Sequence, residues 1–203
     1  MPYEIKKYER TSAKLAPPEL KKVHPLGKSP VVTFEQDGKT HTLAESGAIV
    51  EFLIARFGKG RMAPSSESDD WLSYLFWLHW AEGSAMTPLM LLLVFSALPK
   101  QSPFFLKPLM NGISGTVISK FINPSLANNF GFVEKELAGK DWFVGSEPTG
   151  ADIMMFFPIE GFEAGGDMAK YPNITKFMER ARARPAYKRA EEKGGVNDLK
   201  SFM

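Results

Sequence analysis

The chain of 203 residues contains no cysteine. This absence excludes disulfide bonds, zinc sites built on thiolates and a cysteine nucleophile, so any thiol chemistry needs a sulfur atom supplied by a ligand. Histidine is also scarce, because His24, His41 and His79 are the only three in the chain. They lie far apart and lack the spacing of metal ligands, so the sequence predicts no metal site.

The sequence also lacks a strong charge excess and an apolar leader. Lys and Arg total 25 against 23 Asp and Glu, and the two signs are interspersed, so nothing predicts binding to nucleic acid. The first residues, MPYEIKKYER, have no apolar signal-peptide core. The most apolar stretch, TPLMLLLVFSAL at residues 87–98, is too short to cross a bilayer and predicts a buried helix. We therefore expect an intracellular chain without a transmembrane segment.

The first 58 residues predict a small α/β domain. Residues 3–8 are rich in β-formers and indicate a strand or an extended segment, and the prolines at 17–18 open a short helix that ends near His24. An Asp-Gly pair at 37–38 separates two β-prone runs and predicts a hairpin. An amphipathic helix follows from residue 46 and ends at Gly58.

A Gly-, Pro- and Ser-rich linker over residues 59–67 separates this domain from an all-helical domain over residues 68–203. Ser68 is expected to cap an aromatic-rich helix on which Trp71, Leu75, Leu78 and Glu82 share one face. The aromatic density of this helix favours a core over a cofactor site. Residues 104–137 predict one or two kinked helices joined by an irregular stretch, because proline and glycine interrupt them. The fold class is therefore α/β followed by all-α.

One pair of motifs in the small domain points to a ligand. Pro30 has no N–H to give to a sheet, so Lys28-Ser29-Pro30 leaves a main-chain edge that a ligand could use if the bond before Pro30 were cis. Glu45 and Ser46 lie where a helix begins, and free N–H groups there attract anions. Each motif alone also has a structural explanation, as protection of an edge strand or as a helix cap. Antiparallel pairing across the hairpin would nevertheless bring Ser29 beside Glu45 and Ser46.

The residue types at this end of the predicted hairpin indicate which chemical groups a ligand would carry. The edge at Ser29 suits a peptide, the helix start with the Ser46 hydroxyl suits a carboxylate, Glu45 suits an ammonium group and Lys28 suits a second carboxylate. A small peptide that carries both charges meets all four requirements. Glutathione is such a peptide.

Five segments resemble the glutathione transferase superfamily, and within it a fungal branch: APPELKKVHPLGKSPVV, LAESGAIVEFL, TPLM, FVEKEL and TGADIMMFFP. They occur in the family's order and cover nearly the whole chain. The resemblance implies a thioredoxin-like first domain with a cis Pro30 and glutathione as co-substrate. It also implies that the Ser29 backbone pairs with the cysteinyl part, that Glu45 and Ser46 hold the γ-glutamyl end, and that Lys28 approaches the glycyl carboxylate.

The same resemblance assigns Thr149 and Asp152 to the cap of a core helix, a structural role that their Thr-x-x-Asp spacing supports. It further implies addition of the glutathione thiolate to a small hydrophobic electrophile, in detoxification or the stress response. That electrophile is expected between the domains, against the helix over residues 71–82. A homodimer is expected, as is a cytoplasmic location compatible with peripheral association with the endoplasmic reticulum.

One departure from the family concerns the sulfur. Family members have a strand, a loop and a helix before the segment that aligns with PYEIKKYER, and that loop supplies the Tyr, Ser or Cys that contacts the glutathione sulfur. Tyr3 and Tyr8 align with the second strand and do not replace it, so no catalytic residue is assigned. We expect a shortened form of a transferase with weak conjugation activity. The alternative is a non-catalytic glutathione-binding or interaction protein, whereas a peroxide-reducing role would call for a cysteine.

Overall fold

A computed structural model describes residues 2–11 and 15–195 of the chain. The chain forms two compact units, residues 1–63 and residues 64–203. The β-formers at residues 3–8 belong to no strand, so the strand considered there is not formed. Strand propensity largely reflects packing against a neighbouring strand, and a run of β-formers without a partner does not become one.

A hairpin and one longer helix make up most of the regular structure described in the first unit. α1 covers Leu20–Val23, β1 covers Val31–Gln36, β2 covers Lys39–Ala44 and α2 covers Ser46–Phe57. The predicted hairpin is confirmed, with β1 and β2 antiparallel from the Val31–Ala44 pair to the Gln36–Lys39 pair. Asp37 and Gly38 have φ values of 53° and 71°, which is the positive-φ geometry of a tight two-residue hairpin turn.

Aromatic stacking joins α2 to the hairpin. The ring of Phe34 lies 4.6 Å from that of Phe52 and 5.2 Å from that of His41, measured between centroids. α2 ends before Gly58, as predicted, but Gly58 has a right-handed φ of −67°. Glycine is needed there because a Cβ would collide with the carbonyl oxygens of Ile54 and Arg61, the latter at 2.7 Å.

Two long, nearly continuous helical segments begin the second unit. α3 and α4 are joined by a π-helical turn at Ala81–Ala85 and together run from Asp70 to Gln101. The second segment runs from Phe104 to Glu136, with a π-helical turn where an irregular stretch was expected. The remaining elements are the 3₁₀ turn Phe104–Leu106, α5 Lys107–Val117, the π turn Ile118–Ile122, α6 Asn123–Glu136, α7 Gly150–Gly165, the 3₁₀ turn Met168–Lys170, α8 Pro172–Ala183 and α9 Pro185–Gly194.

A proline, Pro88, follows the π turn between α3 and α4 in the first turn of α4. Pro88 has no N–H, so it cannot donate to the carbonyl of Ser84 four residues earlier. Asn129 of α6 supplies the missing donor, because its side-chain Nδ2 donates to the Ser84 carbonyl oxygen at 3.0 Å. A side chain 45 positions away therefore satisfies the backbone group that the proline leaves open.

We expect Asn129→Ala to lower the free energy of unfolding by about 1 kcal/mol, because the Ser84 carbonyl loses its donor. Urea titration of the variant measures this loss. Asn128→Ala is the matched control, since Asn128 is an exposed neighbour and should change stability little. In a Pro88→Ala background the backbone N–H returns, so Asn129→Ala should cost less there. An equal cost in both backgrounds would contradict this explanation.

Of the four residues that share one face in the sequence of the first long helix, Leu78 alone lies in the core. Trp71 and Leu75 are only half-buried and Glu82 is exposed. The core residues are Tyr74, Trp77, Leu78, Ala81 and Ala85. Aromatic residues surround α3, so hydrophobic spacing alone does not identify its inner face.

The apolar run at residues 87–98 is largely not buried, which corrects the expectation of a buried helix. Only Pro88 and Leu89 in this run reach the core. The continuous helix from Asp70 to Gln101 is long and apolar enough to cross a membrane by length and composition. That criterion alone is weak, because core helices of other proteins also meet it.

Candidate functional site

Five predicted residues meet at one end of the hairpin. Val31 opposite Ala44 is the last pair of the ladder. The segment before β1 and the segment after β2 therefore leave the sheet side by side, which brings Lys28, Ser29 and Pro30 to the same end as Glu45 and Ser46. The peptide bond between Ser29 and Pro30 is cis. Of these five residues, Ser46 is half-buried and the other four are exposed.

The start of α2 supplies backbone donors. Ser46 is the first helical residue and Glu45 is the residue before it, so Ser46 is not the cap of the helix as its sequence context suggested. The first backbone bond of the helix runs from the Ile49 N–H to the Glu45 carbonyl. No side chain caps this helix start, and its first turn contains no acidic residue. The positive end of the helix dipole at Ser46, Gly47 and Ala48 is therefore suited to an anionic group.

Glu45 has an unusual backbone conformation. Its φ is 74° and its ψ is 122°, a region that L-amino acids other than glycine rarely adopt. Holding a non-glycine residue there costs on the order of 1–3 kcal/mol. Strained residues of this kind cluster at functional sites, so the conformation of Glu45 is consistent with a role in binding.

A buried glycine places Lys28 at this end of the hairpin. Gly27 has a φ of 59°, and a Cβ at this position would lie 2.7 Å from Cγ of Lys21. Its N–H donates to the His24 carbonyl at 2.9 Å and closes the turn after α1. The sequence Pro-Leu-Gly at residues 25–27 indicates a turn, but the close approach of Lys21 to Gly27 is visible only in the fold.

A separate apolar groove lies within the second unit, on the exposed face of α3 and the π turn that follows. Its volume is about 450 Å³, and it is lined by Leu72, Leu75, Phe76, His79, Trp80 and Ser84. The rings of Phe76 and Trp77 meet edge-on at 5.0 Å between centroids, which supports one wall. The sequence predicts this helix but not the groove on it, because aromatic residues occur around its whole circumference.

Thr149 and Asp152 form the predicted cap of α7. Asp152 Oδ2 accepts a hydrogen bond from the Thr149 N–H at 2.7 Å and another from the Thr149 hydroxyl at 2.9 Å. Asp152 Oδ1 accepts a third bond from the N–H of Phe143 at 2.9 Å. Burial raises the pKa of Asp152, and the three hydrogen bonds only partly oppose it. These two residues are buried inside the second unit and therefore stabilise it.

No three His, Asp or Glu side chains in the described part of the chain are grouped closely enough to hold a metal ion. The groups available at the hairpin end are main-chain groups, the hydroxyls of Ser29 and Ser46, one carboxylate and one ammonium. These groups can bind a charged peptide.

The chain is similar to known proteins of one family. The family model described as the N-terminal domain of glutathione S-transferase matches residues 1–55, and the one described as its C-terminal domain matches residues 122–185. Glutathione S-transferase 1 of Saccharomyces cerevisiae is 32% identical over 200 residues, covering 94% of this chain and 84% of the yeast protein.

Solved structures give the same result. The glutathione S-transferase from Actinobacillus pleuropneumoniae is 34% identical, with a TM-score of 0.77 over 100% of this chain and 86% of that one. A sphingomonad glutathione S-transferase complexed with glutathione shares the fold at 24% identity, with a TM-score of 0.64 over 93% of this chain and 83% of its own. Both family models and a relative 32% identical over most of its length agree. The chain belongs to the glutathione S-transferase family.

Proposed function

We propose that this chain is a glutathione transferase that joins the glutathione sulfur to small hydrophobic electrophiles, in detoxification. The single observation that carries this proposal is the meeting of the Ser29 main-chain edge with the uncapped start of α2 at one end of the hairpin. A peptide and an anion can bind side by side there. The relatives named as glutathione S-transferases and the sphingomonad complex with glutathione support the identity of the peptide.

Each end of glutathione has a complementary group in this proposal. The Ser29 backbone pairs with the cysteinyl residue as a short strand would. The N–H groups of the first turn of α2 and the Ser46 hydroxyl bind the γ-glutamyl carboxylate, while Glu45 binds its ammonium group. Lys28 approaches the glycyl carboxylate. The exposed positions of Lys28 and Glu45 keep both side chains available to a ligand from solvent.

The reaction needs the thiolate of glutathione. A free thiol has a pKa near 8.5, so at neutral pH only a few per cent is ionised. The thiol first loses its proton, and the sulfur lone pair then forms a bond to the electrophilic carbon while the leaving group departs with its electron pair. The positive end of α2 stabilises bound anions and so favours the ionised form.

We place the electrophile in the groove lined by Leu72, Phe76 and Trp80. Its aromatic and aliphatic walls suit a small apolar molecule, and His79 is its one residue with an ionisable side chain. The chain is further proposed to act as a homodimer.

Conjugation of glutathione to 1-chloro-2,4-dinitrobenzene, followed beside retention on immobilised glutathione, tests the function. Retention together with a rate above the uncatalysed reaction is the expected result. Retention without turnover would show that the protein binds glutathione but does not catalyse its conjugation. Absence of both would contradict the proposed site. Trp80→Ala should raise KM for the electrophile while retention is unchanged.

Replacing Glu45 by glycine separates stability from binding. We expect Glu45→Gly to raise the free energy of unfolding by about 0.5–1 kcal/mol, because glycine adopts a positive φ without strain. The same change should weaken glutathione binding, since the partner of the ammonium group is lost. Thermal unfolding and calorimetric titration measure the two effects.

The matched control is Glu51→Gly in the middle of α2, where the backbone is helical. There glycine should lower the free energy of unfolding by about 1 kcal/mol. Equal losses of stability at positions 45 and 51 would show that Glu45 carries no strain.

A further inference from the structure

The hydroxyl of Ser29 makes no contact that the fold requires. Ser29 is exposed, and neither its hydroxyl nor its backbone N–H and C=O has a hydrogen-bond partner among the residues that the structure describes. The backbone of Ser29 is proposed above to pair with the cysteinyl residue of glutathione. The free hydroxyl therefore belongs to the residue that lies opposite the sulfur-bearing residue of the ligand.

Pairing through the backbone determines where these two side chains lie. Residues directly opposite each other on paired strands project their side chains to the same face, with Cβ atoms about 4.5–5.5 Å apart. For glutathione paired with Ser29, the two side chains are the cysteinyl CH2–SH and the serine CH2–OH. Each ends one bond beyond its Cβ, so rotation about χ1 brings the oxygen and the sulfur to hydrogen-bonding distance.

The other polar side chains at this end of the hairpin are less well placed to reach the sulfur. Ser46 begins α2, where the γ-glutamyl carboxylate is proposed to bind. Lys28 precedes Ser29, whose backbone is biased toward an extended conformation by the proline that follows. Neighbouring side chains of an extended chain point to opposite faces, so the Lys28 ammonium is directed away from the face that Ser29 shares with the sulfur.

We propose that the Ser29 hydroxyl donates a hydrogen bond to the glutathione thiolate and is a catalytic residue of this chain. This contact, which rests on the proposed function, supplies the sulfur partner that the sequence alone does not assign. Ser29 keeps its own proton throughout. The thiol proton passes to solvent, and the hydroxyl donates to the resulting sulfur anion. A sulfur lone pair then forms the bond to carbon while the leaving group departs with its electron pair.

A hydrogen bond to the sulfur anion changes the ionisation and the reactivity of the thiol in opposite directions. A bond to a charged group is strong enough to raise the acid dissociation constant of the bound thiol about tenfold. Nucleophilicity falls as a thiol becomes more acidic, with a Brønsted coefficient of about 0.4–0.5, so the thiolate itself becomes roughly threefold less reactive. Where most of the thiol is protonated, the gain in thiolate exceeds this loss by about threefold.

Other charged groups near Ser29 also act on a bound thiolate. The charged or titratable side chains of this region are those of Lys21, Lys22, His24, Lys28 and Glu45. The lysines favour an anion, and Glu45 opposes it. A substitution at position 29 leaves all of these groups in place, so a comparison among variants at that position isolates the effect of the hydroxyl.

Ultraviolet titration of bound glutathione measures the thiolate without turnover. In Ser29→Ala the acid dissociation constant of the bound thiol should fall about tenfold, while glutathione still binds through the main-chain edge. Ser29→Thr keeps the hydroxyl and should behave as the natural chain. Ser29→Val has the shape of threonine without the hydroxyl and should behave as Ser29→Ala. The Kd of S-methylglutathione, which has no ionisable thiol, should be the same for Ser29→Thr and Ser29→Val.

The rate of conjugation to 1-chloro-2,4-dinitrobenzene should cross over with pH. At mildly acidic pH, Ser29→Ala should be about threefold slower than the natural chain, because less of its bound thiol is ionised. At alkaline pH the thiol is ionised in both proteins, and Ser29→Ala should be about threefold faster because its thiolate is more nucleophilic. A purely structural role of Ser29 would slow the reaction by the same factor at every pH.

The outcomes distinguish a wrong sulfur contact from a wrong binding site. Glutathione binding with the same thiol dissociation constant in Ser29→Thr and Ser29→Val would overturn the role of the hydroxyl and leave the glutathione site in place. A dissociation constant that depends on the hydroxyl, without turnover, would support the contact and contradict the transferase. Absence of glutathione binding in the natural chain would overturn both.

Discussion

Replacing Asp152 by alanine is expected to lower the free energy of unfolding by about 2–4 kcal/mol. The Asp152 carboxylate accepts three hydrogen bonds in the core, from the Phe143 N–H, the Thr149 N–H and the Thr149 hydroxyl. Alanine leaves both backbone donors buried without an acceptor, and each such group costs about 1–3 kcal/mol. The loss therefore exceeds the 0.5–2 kcal/mol that is typical of a lost helix cap alone.

Urea denaturation followed by circular dichroism measures this effect. Asp167→Ala is the matched control, because the Asp167 carboxylate is exposed and pairs with Lys170 at 3.2 Å. A surface pair of this kind contributes about 1 kcal/mol at most. Glutathione retention by the folded Asp152→Ala protein should be unchanged. Equal losses at positions 152 and 167 would mean that the buried cap does not hold the second unit together.

The pH dependence of this contribution has a definite sign. Burial raises the pKa of Asp152 above its ordinary value of 3.8, so near that value the folded chain binds more protons than the unfolded chain. The resulting stability is fully present below the ordinary pKa and is lost as the pH rises through the folded pKa. The stability of the natural chain relative to Asp152→Asn should therefore be greatest at the acid end and decrease with pH. An increase with pH would show that the hydrogen bonds outweigh the burial.

The role of Asp152 illustrates what could be predicted from the sequence. The Thr-x-x-Asp spacing predicts the contact between Thr149 and Asp152, because both lie in one helical turn. The contact with Phe143 could not be predicted, since that residue is nine positions earlier in a segment without periodicity. Local spacing encodes capping, whereas contacts made by irregular segments depend on the tertiary fold.

The same distinction between local spacing and tertiary contacts shows which features of the first unit could be predicted. Asp37 and Gly38 determine the hairpin because their backbone preference is local, and the meeting of Ser29 with Glu45 and Ser46 then follows from the pairing. The positive φ of Glu45 could not be predicted from the sequence, because glutamate disfavours that conformation.

The helical unit was less predictable. Hydropathy identified the helices but not their inner faces, because α3 carries aromatic residues on all sides and α4 is apolar on its exposed side as well. The π turn at Ala81–Ala85 adds a further rotation between α3 and α4. Pro88 signals this irregularity, but its partner Asn129 is known only from the fold.

Replacing Ser46 by alanine is expected to weaken glutathione binding by about 1–2 kcal/mol, which is roughly a 5- to 30-fold rise in Kd. Ser46 begins α2 and is half-buried at the end of the hairpin, beside the N–H groups that are proposed to bind the γ-glutamyl carboxylate. Its hydroxyl would add a hydrogen bond to that charged group, and alanine removes only this bond. The backbone donors and the helix dipole remain, so binding should weaken and not disappear. Isothermal titration with glutathione measures the change.

Three controls make the result specific to the carboxylate. Ser73→Ala removes an exposed hydroxyl from α3 and should leave Kd unchanged. Ser46→Thr retains a hydroxyl and should recover part of the lost affinity. For a glutathione analogue in which the γ-glutamyl carboxylate is amidated, the difference in Kd between the natural chain and Ser46→Ala should be smaller, because the charge that strengthens the bond is absent. If Ser46→Ala binds glutathione as the natural chain does, the γ-glutamyl end does not lie at the start of α2.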